Sequence, residues 1–496
     1  MKKLPFLITC NFLLLSLFFA FNNYQSPKIL NTSSTSKLVM CATNTKLAIA
    51  NAKLFDLNDY NQPAVAVMVR KNIASFTPAE ITSLKAGITA MKALPVTNKT
   101  SWTYQAAIHG TTLAGANPSW NSCQHGTPFF LSWHRMYLYF FERILRAKSG
   151  SPTLTLPYWD YQLSGAIPSA YRTPTVGNSL YHASRSASMN SGATLPLSIS
   201  TNINNALNLT SYMPFQSSLE GPHGAVHVSI GGGGGDMGAV NRAALDPVFW
   251  LHHTNIDRLW EAWLRKCAGR ANPTTNATWM NQVFTFFDET GNAVNMTGTQ
   301  VVNTAASLNY RYDFPFMLPC NFVWADIIWR EARVFQLPNP PPIEKRLDLS
   351  FANAIELEPF KQERDIPFKF KNSETEVSDQ VVLEFANHKI SELPEGVIEV
   401  YVNLPAAERP TAKSKSFASV IDLFSAAGHS DHNNMPMRVD ITEAVKNLGI
   451  KPDGLNKIKV SFIVRGNTLN GKDIETRASV RASDITLIIR RASKAG

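Results

Sequence analysis

The pattern of apolar and polar residues divides the chain into two regions. Up to about residue 337, apolar and aromatic residues recur at helical spacing, most clearly at residues 129–147 and 248–266. After residue 345 the pattern changes to short alternating runs separated by turn residues such as Asn470-Gly471, which is typical of strands. These runs are Val381–Phe385, Val397–Val402, Lys459–Val464 and Ile485–Ile489. We therefore expect a mainly α domain followed by a β-sandwich domain.

A proline-rich segment separates these regions. Residues 338–344 contain Pro338 and the run Pro340-Pro341-Pro342. Proline lacks the N–H group that a helix needs and favours an extended spacer. The sequence thus predicts a helical domain at residues 42–337, a linker at residues 338–344 and a β-sandwich domain at residues 345–496.

The amino terminus has the pattern of an export signal. Two lysines precede an apolar stretch that reaches Phe21. We predict a signal peptide at residues 1–21 and a polar linker at residues 22–41, and hence a secreted or exported protein. The expected cleavage point is a poor match because Phe18 is not small, and an uncleaved N-terminal anchor is the alternative.

Composition and charge exclude several classes of protein. The chain has 496 residues, of which 44% are hydrophobic and 17% charged, so it is not disordered as a whole. The net charge of +10 arises within residues 1–342, which hold 25 basic and 15 acidic residues without a basic run longer than two. We therefore predict no nucleic-acid partner. Because no apolar run of 20 residues follows residue 25, we expect no stable membrane span in the mature chain. The sequence does not specify an oligomeric state.

Histidines are concentrated in the helical region, where eight of the eleven lie between residues 109 and 253. His223 and His227 are four residues apart, so a helix would place both rings on one face. Pro222 would suit the first turn of that helix, where its missing N–H costs nothing. The spacing therefore predicts a pair of metal ligands on one helix.

A neighbouring helix offers a third ligand to this pair. Asp246 is a good N-cap and Pro247 a good first residue, and the helical pattern continues to about Lys266. His252 and His253 differ by ~100° around this helix, so one metal ion can take only one of them easily. The result would be a site of three histidines.

A second set of three histidines lies earlier in the chain. His109 ends a helical stretch, and Thr127 and Pro128 would start the helix that carries His134. His125 and His134 are nine residues apart, or ~180° around a helix, so they cannot share one face. We therefore expect His125 on the loop before that helix, from which the three rings could converge.

The ligand chemistry narrows the choice of metal. Sites made only of imidazoles suit copper or zinc, whereas di-iron sites in helical bundles use glutamates and Glu-x-x-His pairs. Only one Glu-x-x-His match, Glu220 to His223, lies near either set, whereas a di-iron site of that type needs two such pairs. Six histidines exceed what one zinc ion needs. Two sites of three histidines indicate a pair of copper ions that binds dioxygen.

Several segments resemble one known family. Residues Cys123–Arg135 resemble the copper A signature, and residues Asp246–Trp260 the copper B signature, of tyrosinases, catechol oxidases and molluscan-type haemocyanins. Asp236-Met237-Gly238 and Tyr310-Arg311-Tyr312 are similar to further elements of that family, and residues 345–496 more weakly resemble the C-terminal shielding domain of plant polyphenol oxidases. The resemblance implies two copper ions with six ligands: His109, His125 and His134 on copper A, and His223, His227 and His253 on copper B. The resemblance also implies that His252 lies next to the ligands without binding copper itself.

The resemblance also implies roles for two side chains near these histidines. Cys123 would form a thioether bond to the imidazole of His125; the alternative is a buried thiol. Glu220 resembles a carboxylate that holds an active-site water and helps to deprotonate phenols; the alternative is a charge at a helix N-terminus.

Three further positions concern substrate access and support of the site. Gly224 stands where many relatives that act on monophenols have asparagine, which puts hydroxylation of monophenols in doubt. Val240 stands where plant enzymes carry a bulky phenylalanine, so the entrance would be wider. Asp257 could orient a metal ligand. The alternative is an ion pair with Arg258 that has a structural role.

The sequence thus predicts an exported type-3 copper oxidase. It would convert o-diphenols to o-quinones, with dioxygen as co-substrate and a small phenol as substrate; monophenols are the further candidate substrate. The alternative is a reversible oxygen carrier of the haemocyanin type. We expect the β-sandwich domain, referred to below as the tail, to block the copper site with one side chain; the alternative is a tail needed only for folding or copper loading.

Overall fold

The computed structural model describes residues 67–115, 117–266, 269–313, 346–350, 355–356, 369–371, 380–427, 436–450 and 458–490. All of them belong to one compact unit. The predicted signal peptide and both predicted linkers lie outside these residues. Helices dominate up to residue 313 and strands after residue 345, so the predicted mainly α region followed by a β region is confirmed.

Among the described residues, most of the helices precede residue 313, and two short ones lie in the tail. The helices are α1 (Pro78–Lys92), α2 (Trp102–His109), α3 (Phe130–Ser149), α4 (Ser169–Arg172), α5 (Ala187–Asn190), α6 (Leu197–Asn208), α7 (Tyr212–Gly231), α8 (Pro247–Arg265), α9 (Ala277–Asn281), α10 (Thr304–Leu308), α11 (Leu423–Ala427) and α12 (Thr442–Asn447). None of these helices in the described part of the chain combines the length and apolar character that a membrane crossing requires.

Short strands accompany the helices, and long strands form the tail. The strands are β1 (Met68–Arg70), β2 (Phe284–Phe287), β3 (Ala293–Met296), β4 (Tyr310–Tyr312), β5 (Arg346–Ser350), β6 (Ile355–Glu356), β7 (Lys369–Lys371), β8 (Gln380–Glu392), β9 (Gly396–Val402), β10 (Phe417–Val420), β11 (Met437–Asp440), β12 (Lys459–Gly466), β13 (Thr468–Leu469), β14 (Lys472–Asp473) and β15 (Ser479–Arg490). The four strand runs predicted from the sequence fall within β8, β9, β12 and β15, and so they are confirmed.

Side-chain caps fix where α1 and α8 begin. Thr77 accepts a hydrogen bond from the Glu80 N–H at 3.2 Å, and the Glu80 carboxylate accepts from the Thr77 N–H at 2.8 Å, which is a capping box. Asp246 accepts from the Val248 N–H at 2.9 Å, and Pro247 is the first residue of α8. The start predicted for α8 is therefore confirmed.

The start predicted for the helix that carries His134 is wrong by two residues. Helix α3 begins at Phe130, and the Thr127 hydroxyl accepts from the Phe129 N–H at 3.2 Å within the turn that precedes the helix. Carbonyl groups that a longer helix would use are taken by distant side chains. The Thr127 carbonyl accepts from Gln216 at 3.0 Å, and the Pro128 carbonyl accepts from Trp279 at 3.1 Å.

The start predicted for the helix of His223 and His227 is wrong by ten residues. Helix α7 begins at Tyr212, and Pro222 lies inside it. A proline inside a helix costs about 3 kcal/mol. Phe215 and Leu219 are fully buried in the preceding turns, and burying each such side chain contributes about 1.5–3 kcal/mol. Tertiary packing of these side chains therefore outweighs the preference of proline for the first turn of a helix.

The tail is a sandwich of two sheets. One sheet has the order β10-β9-β12-β5, and the other has the order β11-β8-β15-β6, with β7 parallel to β15. Phe385 on β8 and Phe462 on β12 lie 6.0 Å apart between ring centroids, so side chains of the two sheets meet in one core. Asn470 and Gly471 have φ angles of 52° and 75° and join β13 to β14, as their turn pattern predicts.

A buried ionic cluster ties the helices that carry the histidines to the short β1–β4 sheet. Asp257 on α8 accepts hydrogen bonds from Arg135 on α3 and from Arg70 on β1. It also accepts from Tyr310 at 2.6 Å and from Tyr312 at 2.5 Å, both on β4. Although burial alone would raise the pKa of Asp257, the Arg135 and Arg70 guanidinium groups hold that pKa below its usual range.

Asp257 is thus a structural residue, but its expected partner is wrong. Arg258 forms an ion pair with Asp160 at 3.1 Å instead. The sequence indicates either a role for Asp257 in orienting a ligand or an ion pair with Arg258, the next residue in the chain. Residues from β1, α3 and β4 take that place because they surround the carboxylate in the fold.

The tail packs against the helical region through polar contacts on α6 and α7. The Asn202 side-chain oxygen accepts from the Val420 N–H at 2.9 Å and from the Ser419 hydroxyl at 3.0 Å. The Asn467 side chain donates to the Ser229 carbonyl at 2.7 Å. These contacts bring the segment after β10, which contains α11, against the histidine-bearing face of α7.

Candidate metal centre

The six histidines predicted as ligands lie together in the centre of the helical region. They are His109 at the end of α2, His125 on the loop before α3, His134 on α3, His223 and His227 on α7, and His253 on α8. All six are buried, and the most exposed of them, His125, is 3% accessible. The helix and loop positions predicted for all six are as the sequence indicates, apart from the helix starts described above.

Backbone carbonyl groups orient three of these rings. The Nδ1 of His109 donates to the Val240 carbonyl at 3.0 Å, that of His134 to the Phe130 carbonyl at 2.8 Å, and that of His227 to the Met237 carbonyl at 3.0 Å. A carbonyl can only accept, so each Nδ1 carries the proton and each Nε2 has a lone pair. This arrangement prepares Nε2 as a metal ligand.

The rings of the two predicted sets meet at their inner edges. His134 and His253 stack with 4.4 Å between ring centroids, and the Nε2 atoms of His227 and His253 are 3.2 Å apart. His125 lies 5.2 Å from His134 and 5.3 Å from His223 between centroids. The two sets therefore form one continuous centre in which metal ions could lie side by side.

The ring nitrogens are close enough to share metal ions. Ligand atoms lie within 4.8 Å of one another in three groups: His109, His134 and His253; His109, Cys123 and His125; and His223, His227, His252 and His253. His253 belongs to two of these groups. The ring nitrogens therefore do not divide into two separate triads, because those of His253 lie close to histidines of both predicted sets.

Buried nitrogens without a hydrogen-bond partner indicate what the centre is built to hold. These atoms are Nε2 of His134, both ring nitrogens of His223 and Nδ1 of His253. Leaving a buried polar atom unpaired costs about 1–3 kcal/mol. A metal ion bound by these rings would satisfy such atoms, so the residues fit a metal centre made of imidazoles.

Burial keeps the imidazoles neutral, which metal binding requires. It lowers the pKa of His134 to about 3. It also lowers the pKa values of His223, His227 and His253 well below their usual range, and the neighbouring imidazoles add to the effect. Near neutral pH these rings carry no charge and offer lone pairs.

His252, expected as a neighbour of the ligands, is as deeply buried as His253. Its ring stacks on His223 with 5.1 Å between centroids and packs against Tyr161. Neither of its nitrogens has a hydrogen-bond partner. His253 differs in that it also contacts His134 and His109, which favours His253 as the ligand between the two triads.

Cys123 lies beside the loop histidine. Its Sγ is 3.8 Å from Nδ1 of His125, and the side chain is 2% exposed. Burial raises the pKa of the Cys123 thiol, so the thiol stays protonated. Both the thioether and the buried thiol expected from the sequence place sulfur next to this ring.

Glu220 lies in the middle of α7, and this position rules out a charge at the helix N-terminus. Its carboxylate accepts a hydrogen bond from the Gly126 N–H at 2.7 Å, next to His125. Burial and the charge of Asp422 raise the pKa of Glu220 well above its usual range, although the Gly126 N–H opposes the shift. The carboxyl group therefore lies beside the centre and holds a proton readily.

The two positions predicted to control access lie beside different histidines, Val240 next to His109 and Gly224 next to His223. The Val240 side chain is 1% exposed, and the carbonyl of this residue holds His109. Gly224 follows His223 on α7. The space beside the Gly224 Cα contains the carboxyl group of Asp422, a residue of the tail.

A phenylalanine of the tail covers the histidines. The Phe424 ring on α11 stacks on His227 with 3.8 Å between centroids and 5° between planes. It also lies 5.6 Å from His125 and 5.8 Å from His223, and it is fully buried. The sequence predicts a blocking side chain in the tail without identifying it.

Asp422 and Phe424 are the site residues that sequence reasoning missed. They lie about 200 residues from α7 in the chain, in a short segment (DLFSA) whose pattern has no chemical signature. A weak signal is present, since Asp422 precedes α11 and accepts the Ser425 N–H at 3.0 Å, as helix caps do. That signal predicts a helix start and not a position over the histidines.

A cavity of about 320 Å³ opens beside the covered centre. Its wall includes His125 and Glu220 from the helical region, and Asp422 and Arg438 from the tail. It therefore lies between the tail and α7 and reaches the edge of one histidine.

Comparison with known proteins relates this centre to one family. The family model for the common central domain of tyrosinase matches residues 99–188 and 170–266, and the model for the polyphenol oxidase middle domain matches residues 274–334. A tyrosinase of Hahella sp. (strain CCB-MM4) is 33% identical over 50% of this chain and 64% of its own length. The latent form of a chloroplastic polyphenol oxidase of Prunus armeniaca is 27% identical over 53% of this chain and 51% of its own length.

Solved structures share the fold at low sequence identity. The structure of latent apple tyrosinase covers 87% of this chain and 99% of its own, with a TM-score of 0.59 and 20% identity. A functional unit of octopus haemocyanin covers 84% of this chain and 100% of its own, with a TM-score of 0.52 and 21% identity. The chain spans 64% and 51% of the length of the two curated relatives named above, and it shares its fold with the apple tyrosinase and with the haemocyanin unit.

Proposed function

The chain carries a central domain of the tyrosinase family, and from this premise we propose that it is a type-3 copper oxidase that converts o-diphenols to o-quinones. The observation that carries the proposal is the continuous centre of buried histidines whose ring nitrogens converge. Imidazole ligands in two overlapping triads suit a pair of copper ions. Copper A would be held by His109, His125 and His134, and copper B by His223, His227 and His253.

The copper ions, when bound, would supply the redox chemistry through which two o-diphenols reduce one dioxygen to two waters. The protein residues have other tasks. The carbonyl groups of Phe130, Val240 and Met237 keep three rings in the orientation that binding needs. Rings held in this way do not have to reorganise when the metal enters.

Glu220 is the group proposed to accept a proton from the phenol. Burial raises the pKa of this carboxyl group well above its usual range, which strengthens its hold on the proton that it would accept. The Gly126 N–H fixes one of its oxygens at 2.7 Å. The position next to His125 supports a role at the edge of the centre, where a phenol or a water would dock.

Two further details belong to this proposal. The 3.8 Å contact between Cys123 and His125 supports a thioether bond that would fix the only ligand located on a loop. Gly224 has no side chain to orient a water, so we expect a preference for o-diphenols over monophenols. The side chain of Val240, smaller than phenylalanine, would leave more room at the entrance.

The full chain is proposed to be latent, because Phe424 occupies the space over His227 that a phenol would need. The haemocyanin-like alternative is supported by the same observation, since a covered centre suits a protein that binds dioxygen and excludes phenols. Export is proposed from the amino-terminal pattern; the plant relatives are named chloroplastic.

One experiment separates these functions. The copper-loaded full chain is cut near residue 340, and the oxidation of a catechol and of its monophenol is measured before and after the cut. The oxidase proposal expects catechol oxidation to rise severalfold while copper is retained. A centre that binds dioxygen reversibly but stays inert to catechol after the cut would support the carrier, and loss of copper would support a tail with a structural role.

A further inference from the structure

The glycine next to the first histidine of α7 lies against the tail. If Gly224 carried a methyl group, that carbon would lie 1.8 Å from Oδ1 of Asp422, 2.5 Å from its Cγ and 3.1 Å from its Oδ2. Carbon atoms of real side chains do not approach this closely. The whole carboxyl group of Asp422 therefore fills the space that any side chain at position 224 would need.

Asp422 cannot simply turn away from this space. Its Oδ1 accepts a hydrogen bond from the Ser425 N–H at 3.0 Å, and this bond caps α11. Two residues after Asp422, Phe424 stacks on His227. A movement of the carboxyl group would therefore break the cap of the same short helix that places the ring over the histidines.

The other glycine of α7 that faces the tail behaves differently. A methyl group at Gly221 would lie 3.3 Å from the Val420 carbonyl and 3.9 Å from the Asn202 side-chain oxygen. A shift of a few tenths of an ångström would relieve this contact. Of these two glycines, only the one at position 224 must lack a side chain for the tail to pack against α7 as it does.

We propose that Gly224 and Asp422 form a latch: the absence of a side chain at position 224 admits the Asp422 carboxyl group and so seats Phe424 over the histidines. This inference rests on the proposed function, because it concerns how access to the proposed copper site is controlled. It gives Gly224 a role in docking the tail. A larger residue at position 224 would then raise the oxidation of monophenols and o-diphenols together in the full chain, since it would open the site to both.

Hydrogen exchange tests the latch without relying on enzyme activity. The copper-loaded full chain and its variants are compared by mass spectrometry of peptides that cover residues 417–427. We expect Gly224→Ala to speed exchange in these peptides by about tenfold or more, whereas Gly221→Ala changes it by less than about twofold. Alanine otherwise favours a helix over glycine, so a faster exchange in Gly224→Ala cannot come from a weakened α7. Unchanged exchange in peptides of α7 and α8 verifies that the variant is folded.

A double variant decides whether the contact with Asp422 is the cause. Asp422→Ala removes the three atoms nearest to position 224. It also removes the cap, and by itself it should speed exchange modestly. Adding Gly224→Ala to Asp422→Ala should then have an effect of less than about twofold, because the clash is gone. A Gly224→Ala effect of the same size with and without the Asp422 carboxyl group would overturn the latch, as would full protection of residues 417–427 in Gly224→Ala.

Catechol oxidation by the same samples separates the two proposals. If hydrogen exchange changes as expected but the protein never oxidises catechol, even after the cut near residue 340, the latch is supported and the proposed oxidase activity is rejected. An active cut enzyme whose Gly224→Ala full chain stays protected and latent would reject the latch alone.

Discussion

Replacing Phe424 by alanine should activate the uncut protein. The ring is fully buried and stacks on His227, so Phe424→Ala removes a core contact between the tail and the proposed copper centre. Truncating a buried phenylalanine to alanine costs about 3–5 kcal/mol. If ~3 kcal/mol of this loss weakens the docking of the tail, the ratio of open to docked tail rises by about 100-fold, since ~1.4 kcal/mol corresponds to a tenfold change in an equilibrium constant.

The assay is the initial rate of catechol oxidation by copper-loaded protein before and after cleavage near residue 340. We expect Phe424→Ala to raise the rate of the uncut chain by up to about 100-fold, limited by the rate of the cut wild-type enzyme. Cleavage should then add little to the variant, because the tail no longer covers the site. Once the cut tail has been separated from the helical domain, the KM for catechol should be the same for both proteins, since residue 424 is no longer present.

A second phenylalanine of the tail provides the matched control. Phe417 on β10 is 3% exposed and packs on Tyr401, 5.6 Å away between ring centroids, and it has no ring contact with the histidines. Phe417→Ala should lower the thermal stability of the tail while the uncut chain stays nearly as latent as wild type. If Phe424→Ala is no more active than wild type although the cut enzyme is active and both hold copper, the steric account of latency is wrong.

Three further predictions follow from the contacts of single residues. His253→Ala should abolish catechol oxidation and lower the copper content toward one ion per chain by metal analysis, whereas His252→Ala should show a milder defect; equal copper loss in both would contradict the choice of His253. Burial raises the pKa of Asp422 to about 6 from a usual value of 3.8, so docking of the tail should be strongest below pH 4 and should weaken as the pH rises through 6. The loss is at most about 3 kcal/mol; it should appear as faster intrinsic-rate-corrected hydrogen exchange at residues 417–427 from pH 4 to pH 8, and Asp422→Asn should flatten that profile. Asp257→Ala should lower the free energy of unfolding by about 3–5 kcal/mol because it leaves Arg70 and Arg135 buried without their shared carboxylate; a thermal melt like that of wild type would refute the role of this cluster.

The parts of the fold that depend on local chemistry could be predicted from the sequence. Asp246 and Pro247 start α8 because a cap and a first-turn proline act within a few residues. The spacing of His223 and His227 places both rings on one face for the same reason. The apolar runs of the tail form strands because their side chains are buried in the sandwich, and every residue of β9 is buried.

The parts that depend on distant residues could not be predicted. Pro222 lies inside α7 because Phe215 and Leu219 bury earlier turns of that helix in the core. Asp257 pairs with Arg70 and Arg135, which the fold brings from two other elements. Phe424 and Asp422 reach the centre from about 200 residues away, and no local pattern specifies where a short helix of the tail will dock. The carbonyl groups that orient the histidines have no sequence signal at all, since every residue has one.

Six converging histidines are proposed to hold two copper ions with which the chain oxidises diphenols. The measurement that tests this proposal most directly is the copper content of the purified, copper-loaded chain, taken together with catechol-dependent dioxygen uptake after removal of the tail. The account predicts two copper ions per chain that survive dialysis, and dioxygen uptake that is lost together with copper in His223→Ala. A folded wild-type chain that retains no copper, or that retains two copper ions and takes up no dioxygen with catechol, would contradict it.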